Sequence, residues 1–347
     1  MVQELETKRI ANGAAIAEDA PATAGVRSQE RTATFAAPRP REGSPSSSAS
    51  AETLLDSHVR APELEWKSRR TAVGRFVHYR PGLYSLLLIV LLLALALLAP
   101  LLAPYGRDAM NLDLVLAAPS AAHSLGTDDL GRDVVSRLVY GARFSMFVAL
   151  SAVVIASFLG VLAGALAGYF GGRTDALVTV VMDLFLSVPV FLVLLVAASV
   201  GGGRLWVIPL IIGGVSWVET ARVVRAQIVS LKEEGFVEAA RAVGVRDVRL
   251  LTRHLLPQTV PSIIVSATVG FAQAMLVESA LSFLGFGVQP PVPTWGNMLQ
   301  NAQVFIRQAP LAAFAPGFMI FMTCLSFNYV GEGLRRTLAI ERRSSYY

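Results

Sequence analysis

The sequence predicts an all-α integral membrane protein with six transmembrane helices behind a disordered N-terminal extension. Three observations carry that expectation. The 347-residue chain is 54% hydrophobic and only 16% charged, far from a soluble domain. Its apolar residues fall into charge-poor runs, several close to the roughly 20 residues that a bilayer core requires. Its basic residues gather beside those runs, not on one stripe, so the net charge of +5 reads as the positive-inside pattern and not as a nucleic-acid surface. The expected surroundings are therefore membrane lipid, with no nucleic acid. The single cysteine, Cys324, lies inside an apolar run, which excludes an intrachain disulfide and a cysteine-based metal site.

Residues 1–75 form the extension. They are rich in Ala, Pro, Ser, Arg and Glu, contain SPSSSAS at Ser44 to Ser50, and show no apolar period. No apolar h-region stands near the start, so this is not a secretory signal peptide. Trp66, Lys67, Arg69, Arg70, Arg75 and Arg80 then make a basic run that holds this side in the cytoplasm and touches anionic lipid.

The first span is residues 83–103, with Pro100 and Pro104 marking its outer end. Residues 104–143 are expected to be an extracytoplasmic loop. Within it Asp133 caps a short interfacial helix whose Val134, Val135, Leu138 and Val139 share a face. Asp128, Asp129 and Asp133 do not fit a calcium-loop pattern and read as capping or turn residues. Five further spans are expected within 144–336: Phe144 to Phe170, Ala176 to Val200, Leu205 to Val218, Thr259 to Phe286 and Leu311 to Val330. With an even number of spans both termini are cytoplasmic, as are the polar stretch 219–257 and the tail 337–347. The arginines agree, being dense in that stretch and at Arg335, Arg336, Arg342 and Arg343.

In the second span Gly160, Gly164 and Gly168 recur every four residues, a face on which two helices can approach closely in lipid. Two acidic residues stand inside apolar runs, where a carboxylate is costly and is by default a functional candidate. Asp183 lies six residues before Pro189, about two turns from the cytoplasmic end, and serves either the backbone freed near that proline or the translocation path. Glu278 lies deeper, and needs a partner or a wet cavity. It lines the path, pairs with another subunit, or is structural. Trp295, in the proline-stiffened QPPVPTWGN, suits a membrane interface.

The stretch 219–257 carries the most specific pattern. Glu238, Ala239 and Ala240 are followed after three residues by Gly244, and thirteen positions beyond it comes Pro257. Small alanines let another surface come close to a helix, and a glycine there ends that helix in the left-handed turn. This resembles the EAA loop by which permeases of ATP-binding-cassette importers dock their ATPases. His254 stands where that family has Ile, while the Gly and the Leu-Pro keep their spacing. LGTDDLGRDVVSRLVYGAR (Leu125 to Arg143), ESALSFLG (Glu278 to Gly285) and QPPVPTWGNM (Gln289 to Met298) closely resemble the C-type permeases of dipeptide, oligopeptide and nickel importers. The resemblance covers roughly Leu83 to Arg336.

That resemblance implies a type I importer permease fold in a bacterial or archaeal cell membrane. It also implies a heterodimer with a B-type permease, two cytoplasmic ATPase subunits and an extracytoplasmic solute-binding protein. ATP and magnesium belong to the partner subunits, and this chain holds no cofactor, no metal and no catalytic residue. Lysine occurs only at Lys8, Lys67 and Lys232, none after a phosphate loop, so the chain is not itself a P-loop ATPase. His58, His78, His123 and His254 form no H-E-x-x-H motif, and GVSWV at Gly214 lacks the closing glycine of a serine-hydrolase elbow. A channel or secondary transporter would leave the EAA-like loop unexplained. Peptides are the favoured cargo and nickel the alternative, although no His or Cys ligand cluster in the spans supports the metal. Deletion of Met1 to Ala72 is expected to leave uptake by membrane vesicles nearly unchanged per molecule inserted; collapse of uptake in a correctly inserted protein would show that the extension does more.

Overall fold

The computed structural model describes residues 76 and 78–344, with side chains through 337. The expected disordered extension, residues 1–75, lies outside them. The described residues contain helices and no strand. Five helices are long and apolar enough to cross a membrane, and a bent pair makes a sixth span if counted as one.

Helix α1 (Arg80–Leu97) starts with a proline in its first turn, where the missing N–H has no intrahelical partner to lose. Gly82, Ser85, Ile89, Leu92 and Ala96 are buried, one stripe at helical spacing, while Tyr84, Leu87, Leu91 and Leu97 stay exposed as lipid-facing residues do. A one-turn helix α2 (Ala99–Leu102) follows. The connection onward folds on its own acids. The Asp128 carboxylate accepts from the Arg132 N–H at 2.9 Å and from Arg132 Nε at 2.7 Å. Gly131, at φ +68°, lies against the Asn111 carbonyl where no Cβ would fit.

Asp133 caps the next helix, its carboxylate accepting from the Ser136 N–H at 2.7 Å. The structure corrects the expected interfacial helix. The helix that Asp133 caps is not a separate short one, because α3 runs unbroken over Val134–Phe170, with no proline to stop it. Its 37 residues rise about 55 Å, well beyond the roughly 30 Å of a bilayer core, so its first turns stand outside the apolar layer. The expected third span, Ala176 to Val200, is also corrected. It is two helices, α4 (Gly172–Ser187) and α5 (Val190–Gly201), bent by 83°. Pro189, without an N–H and restricting Val188 before it to extended backbone, sits at the break.

A third correction concerns the polar stretch. Helix α6 spans Val207–Lys232, so the fourth span does not end at Val218 and residues 219–232 are not loop. Nothing from Thr220 to Leu231 breaks a helix, and the charges there find lateral partners on α4. Two short helices, α7 (Gly235–Ala242) and α8 (Asp247–Leu250), follow. A π-helical turn at Leu251–Leu255 then leads into α9 (Leu256–Phe283). Helix α10 (Trp295–Ala302) and the long α11 (Pro310–Ser344) complete the fold. The expected tail, 337–347, is thus helical through Ser344 as an extension of the last span.

Helices α3 and α6 make the most extensive pairing of the bundle. A Cβ on Gly160 would lie 2.6 Å from Thr220 Cβ and 2.7 Å from the Trp217 carbonyl, and one on Gly168 would lie 2.9 Å from the Arg225 carbonyl. Gly213 returns the contact from α6, facing Ala152 and Ile155. This is the small-residue packing by which helices associate without a hydrophobic driving force. Gly164→Leu should therefore force the pair apart and destabilise the bundle by about 1–3 kcal/mol or more. A lowered melting temperature in detergent would register it. Gly270→Ala, where the new methyl meets nothing nearer than 3.9 Å and a helix-interior glycine is relieved, should leave that temperature the same or slightly higher.

Candidate functional site

The residues of the E-A-A pattern fold into a small projecting unit. Helix α7 closes on Gly244, whose φ of +82° is the left-handed turn expected of it. The Gly244 N–H donates to the Arg241 carbonyl at 2.9 Å and the Val245 N–H to the Ala240 carbonyl at 3.1 Å, the two bonds of a Schellman closure. The backbone is thus fixed without any partner. Val237, Leu250, Leu251 and Leu255 are buried in an apolar cluster with Ala165 and Tyr169 of α3 and Val224 and Ile228 of α6. Val245 and Ala240 pack against the same cluster.

Polar contacts pin this root. The Tyr169 hydroxyl donates to the Asp247 carboxylate. Lys232 Nζ donates to the Tyr169 carbonyl at 2.8 Å and lies 5.9 Å from that residue's ring centre. Arg225 and Asp175 form a two-pronged pair between α6 and α4, with one contact at 2.6 Å.

The outer face carries Glu238, Ala239, Arg241, Ala242, Gly244 and Arg246, all exposed, and Pro257 is exposed where α9 begins. Two residues that the sequence did not single out stand among them. Val243 is 85% exposed and Val248 69%, flanking the Gly244 turn with apolar surface. Their signal was available only as apolar residues off the buried stripe of two very short helices. A Cβ added at Gly244 meets nothing within 4 Å, so none of the described residues covers the turn.

The two intramembrane acids are far apart in character. Asp183 on α4 is exposed and lies 3.4 Å from Arg222 of α6. Glu278 is completely buried, its Oε1 accepting from the Ser282 hydroxyl at 2.8 Å, while its Oε2 has no hydrogen-bond partner among the described residues. The segment after α9 folds over it: a Cβ on Gly296 would lie 2.7 Å from Ser282 Cβ and 2.8 Å from Ser279 Cα. Trp295 is not at a membrane interface but fully buried. Its indole N–H donates to the Leu138 carbonyl and its backbone N–H to the Ser145 hydroxyl, each at 3.0 Å, and these bonds hold the cover to α3. Thr294 and Asn297 exchange capping-box bonds around it.

Neither acid lines the open-sided cavity of about 220 Å³ bordered by α3, α6 and α9. Glu219 does, with Ser157, Ser216, Thr220, Ser266 and Gln273. Sequence reasoning passed over Glu219 because it placed that residue in the loop; the unbroken helical pattern through Thr220 to Leu231 was the signal that would have kept it in the bundle.

A bundle of membrane-length helices with a closed, projecting E-A-A unit at its end defines an integral membrane permease. Residues 160–339 match the family model described as binding-protein-dependent transport system inner membrane component, and residues 69–119 match the N-terminal TM domain of oligopeptide transport permease C. The chain belongs to the binding-protein-dependent transport permeases. It is 39% identical over 275 residues to the dipeptide transport system permease protein DppC of Alkalihalophilus pseudofirmus, covering 79% of this chain and 90% of the relative. It is 35% identical to the oligopeptide transport system permease protein OppC of Bacillus subtilis, with 79% and 88% covered. With the glutathione transport system permease protein GsiD of Pectobacterium atrosepticum it shares 34% identity, covering 84% and 95%.

Removing the Tyr169 hydroxyl should loosen the root of the loop without disturbing the bundle. Asp247 is exposed and can rehydrate, so Tyr169→Phe should cost about 1 kcal/mol locally. Backbone amide exchange over residues 243–250 should then quicken about fivefold, with the cores of α3 and α6 unchanged.

Proposed function

We propose that this chain is the C-type permease subunit of an ATP-driven importer that moves dipeptides or oligopeptides handed over by a solute-binding protein. The reading pairs it with a B-type permease and two ATP-binding subunits, which hold the ATP and magnesium, while this chain carries no catalytic group. It sets both termini and the E-A-A unit on the cytoplasmic side. The observation that carries it is the unit itself, closed by its own hydrogen bonds, buried at its root, and exposing Glu238, Val243, Gly244 and Val248 to a partner. A helix of that size with apolar and charged residues on one exposed face fits a groove on another protein.

In this mechanism the ATPases, on closing, push α7, and the unit moves as one body because its Schellman closure leaves no loose joint. The push reaches α6 through Val237 and Leu250 and reaches α3 through Asp247 and Tyr169. The bundle rocks and access alternates. Peptide cargo is supported by the names of the dipeptide, oligopeptide and glutathione permeases that the chain resembles. Nickel remains the alternative cargo within the same family. A channel or secondary transporter, working without an ATPase, is the alternative of a different class, and it gives the exposed unit no task.

Gly244→Asp tests the docking claim with little ambiguity, since a Cβ there meets no atom of the described residues within 4 Å. Aspartate tolerates the left-handed backbone better than most residues, so the spans should stay folded. The complex purified in mild detergent from its native membrane should contain a second permease and a P-loop ATPase. The substitution should strip the ATPase away or abolish stimulated ATP hydrolysis. Normal ATP-driven uptake by the variant, or a wild-type chain that purifies with no ATPase, counts against the reading.

A further inference from the structure

We propose that Glu219, with the hydroxyl and amide groups around it, is a binding site for a substrate ammonium group, namely the free amino terminus of a peptide in transit. The inference rests on the peptide reading given above.

The site is built by three helices. Ser157 comes from α3, Ser216, Glu219 and Thr220 from α6, and Ser266 and Gln273 from α9, around a cavity of about 220 Å³. The remaining lining residues are apolar or glycine, so Glu219 is the sole charged group on the wall among the described residues. Helix α6 carries three other charged side chains, and each is engaged. Arg222 faces Asp183 at 3.4 Å, Arg225 grips Asp175 at 2.6 Å, and Lys232 donates to the Tyr169 carbonyl at 2.8 Å. Glu219 has neither a hydrogen bond nor an ion pair among the described residues.

Its depth makes that solitude informative. Glu219 is exposed on the open side of this cavity, near the middle of α6, roughly 18 Å along the axis from either end. An exposed carboxylate midway along a membrane-length helix needs a wet cavity or a counter-charge beside it. An ammonium group has three protons to donate and no acceptor to offer. The carboxylate can take one, and the hydroxyl oxygens and the Gln273 carbonyl can take the others. A peptide's carboxylate end would meet the same charge as repulsion. The sheltered volume falls below the 300–1,000 Å³ of pockets that enclose a whole ligand, and the open side leaves room for the rest of a chain, so the cavity suits one end of a peptide. The amino terminus is the end its charge selects.

The experiment uses membrane vesicles holding the complete transporter, with Cys324→Ala removing the native thiol. A new thiol is placed one turn from Glu219 by Val223→Cys, another lining position. Its reaction rates with a trimethylammonium-bearing and a sulfonate-bearing methanethiosulfonate are compared. The cation-to-anion rate ratio is expected to fall on the order of tenfold when Glu219→Gln is added, the scale of one nearby unit charge in a partly wetted site. A dipeptide with a free amino terminus should protect the thiol, and its N-acetyl derivative should not. Glu219→Asp should keep both properties, which separates loss of charge from loss of fold. An unchanged ratio in Glu219→Gln, or equal protection by the two peptides, overturns the proposal. If the ratio falls as expected but neither peptide protects and the wild type takes up no peptide, the peptide reading fails together with the cargo named here, while a cation site remains.

Discussion

The close approach of α3 and α6 is the constraint on which the other features depend. Lipid tails are as apolar as leucine, so two helices in a bilayer gain little by hiding apolar side chains from it; they gain by fitting. Gly160, Gly164 and Gly168 let α6 lie against the α3 backbone, and that contact fixes how α6 is rotated about its axis. With that rotation set, Ile212, Ser216, Glu219 and Val223 turn to the cavity that α9 closes. Trp217, Val218 and Ala221 turn to Met182 and the rest of α4. The same seam ends beside Tyr169, which brings its hydroxyl to Asp247 and gives the projecting unit its root. The cavity wall and the root of the loop both follow from this one packing face.

Charge is distributed along α6 in a way that follows from this. Arg225 and Lys232, near the end that carries the loop, are held by Asp175 and by the Tyr169 carbonyl. Arg222, more exposed, faces Asp183 at a looser 3.4 Å, and a pair so accessible to solvent is worth little by itself. Its contribution is to occupy Arg222, which sits only three residues from Glu219 and would otherwise neutralise it. Glu219 is left as the one uncompensated charge on the helix, and it points where a solute can reach it.

Much of this was legible in one dimension, because local chemistry decided it. The E-A-A spacing with Gly244, the capping by Asp133 and the glycine face of α3 are each set within a few residues. What failed did so for lateral reasons. A hydropathy window ends at the first cluster of charges, so it cut α6 at Val218; it cannot know that Arg222 and Arg225 are matched by acids on a neighbouring helix. Trp295 reads as an interfacial residue beside prolines, yet carbonyl and hydroxyl groups of α3, some 150 positions away in sequence, take its two N–H groups and draw it inside. The 83° bend was foreshadowed by Pro189, but its size depends on how α4 and α5 pack, which no local pattern records.

The arrangement also bears on how the two ends of the molecule can speak to one another. Val243 and Val248 expose apolar surface to water, each square ångström disfavoured by about 25 cal/mol relative to burial. No described residue covers them, so a partner that did would gain from the contact. Any force it applied would enter a unit without a hinge: the left-handed turn at Gly244 is already hydrogen-bonded on both sides, and Leu250 and Val237 are fully buried beneath it. Among the elements that such a force meets is α6, a continuous helix of 26 residues, about 39 Å from end to end. Glu219 is at its midpoint. A shift at the loop therefore cannot leave the cavity wall where it was unless α6 bends, and α6 has its only proline in the first turn, at Pro209, beyond Glu219 from the loop. The helix that receives the push also carries the charged residue of the cavity, so coupling and substrate access need no longer route than one rigid rod.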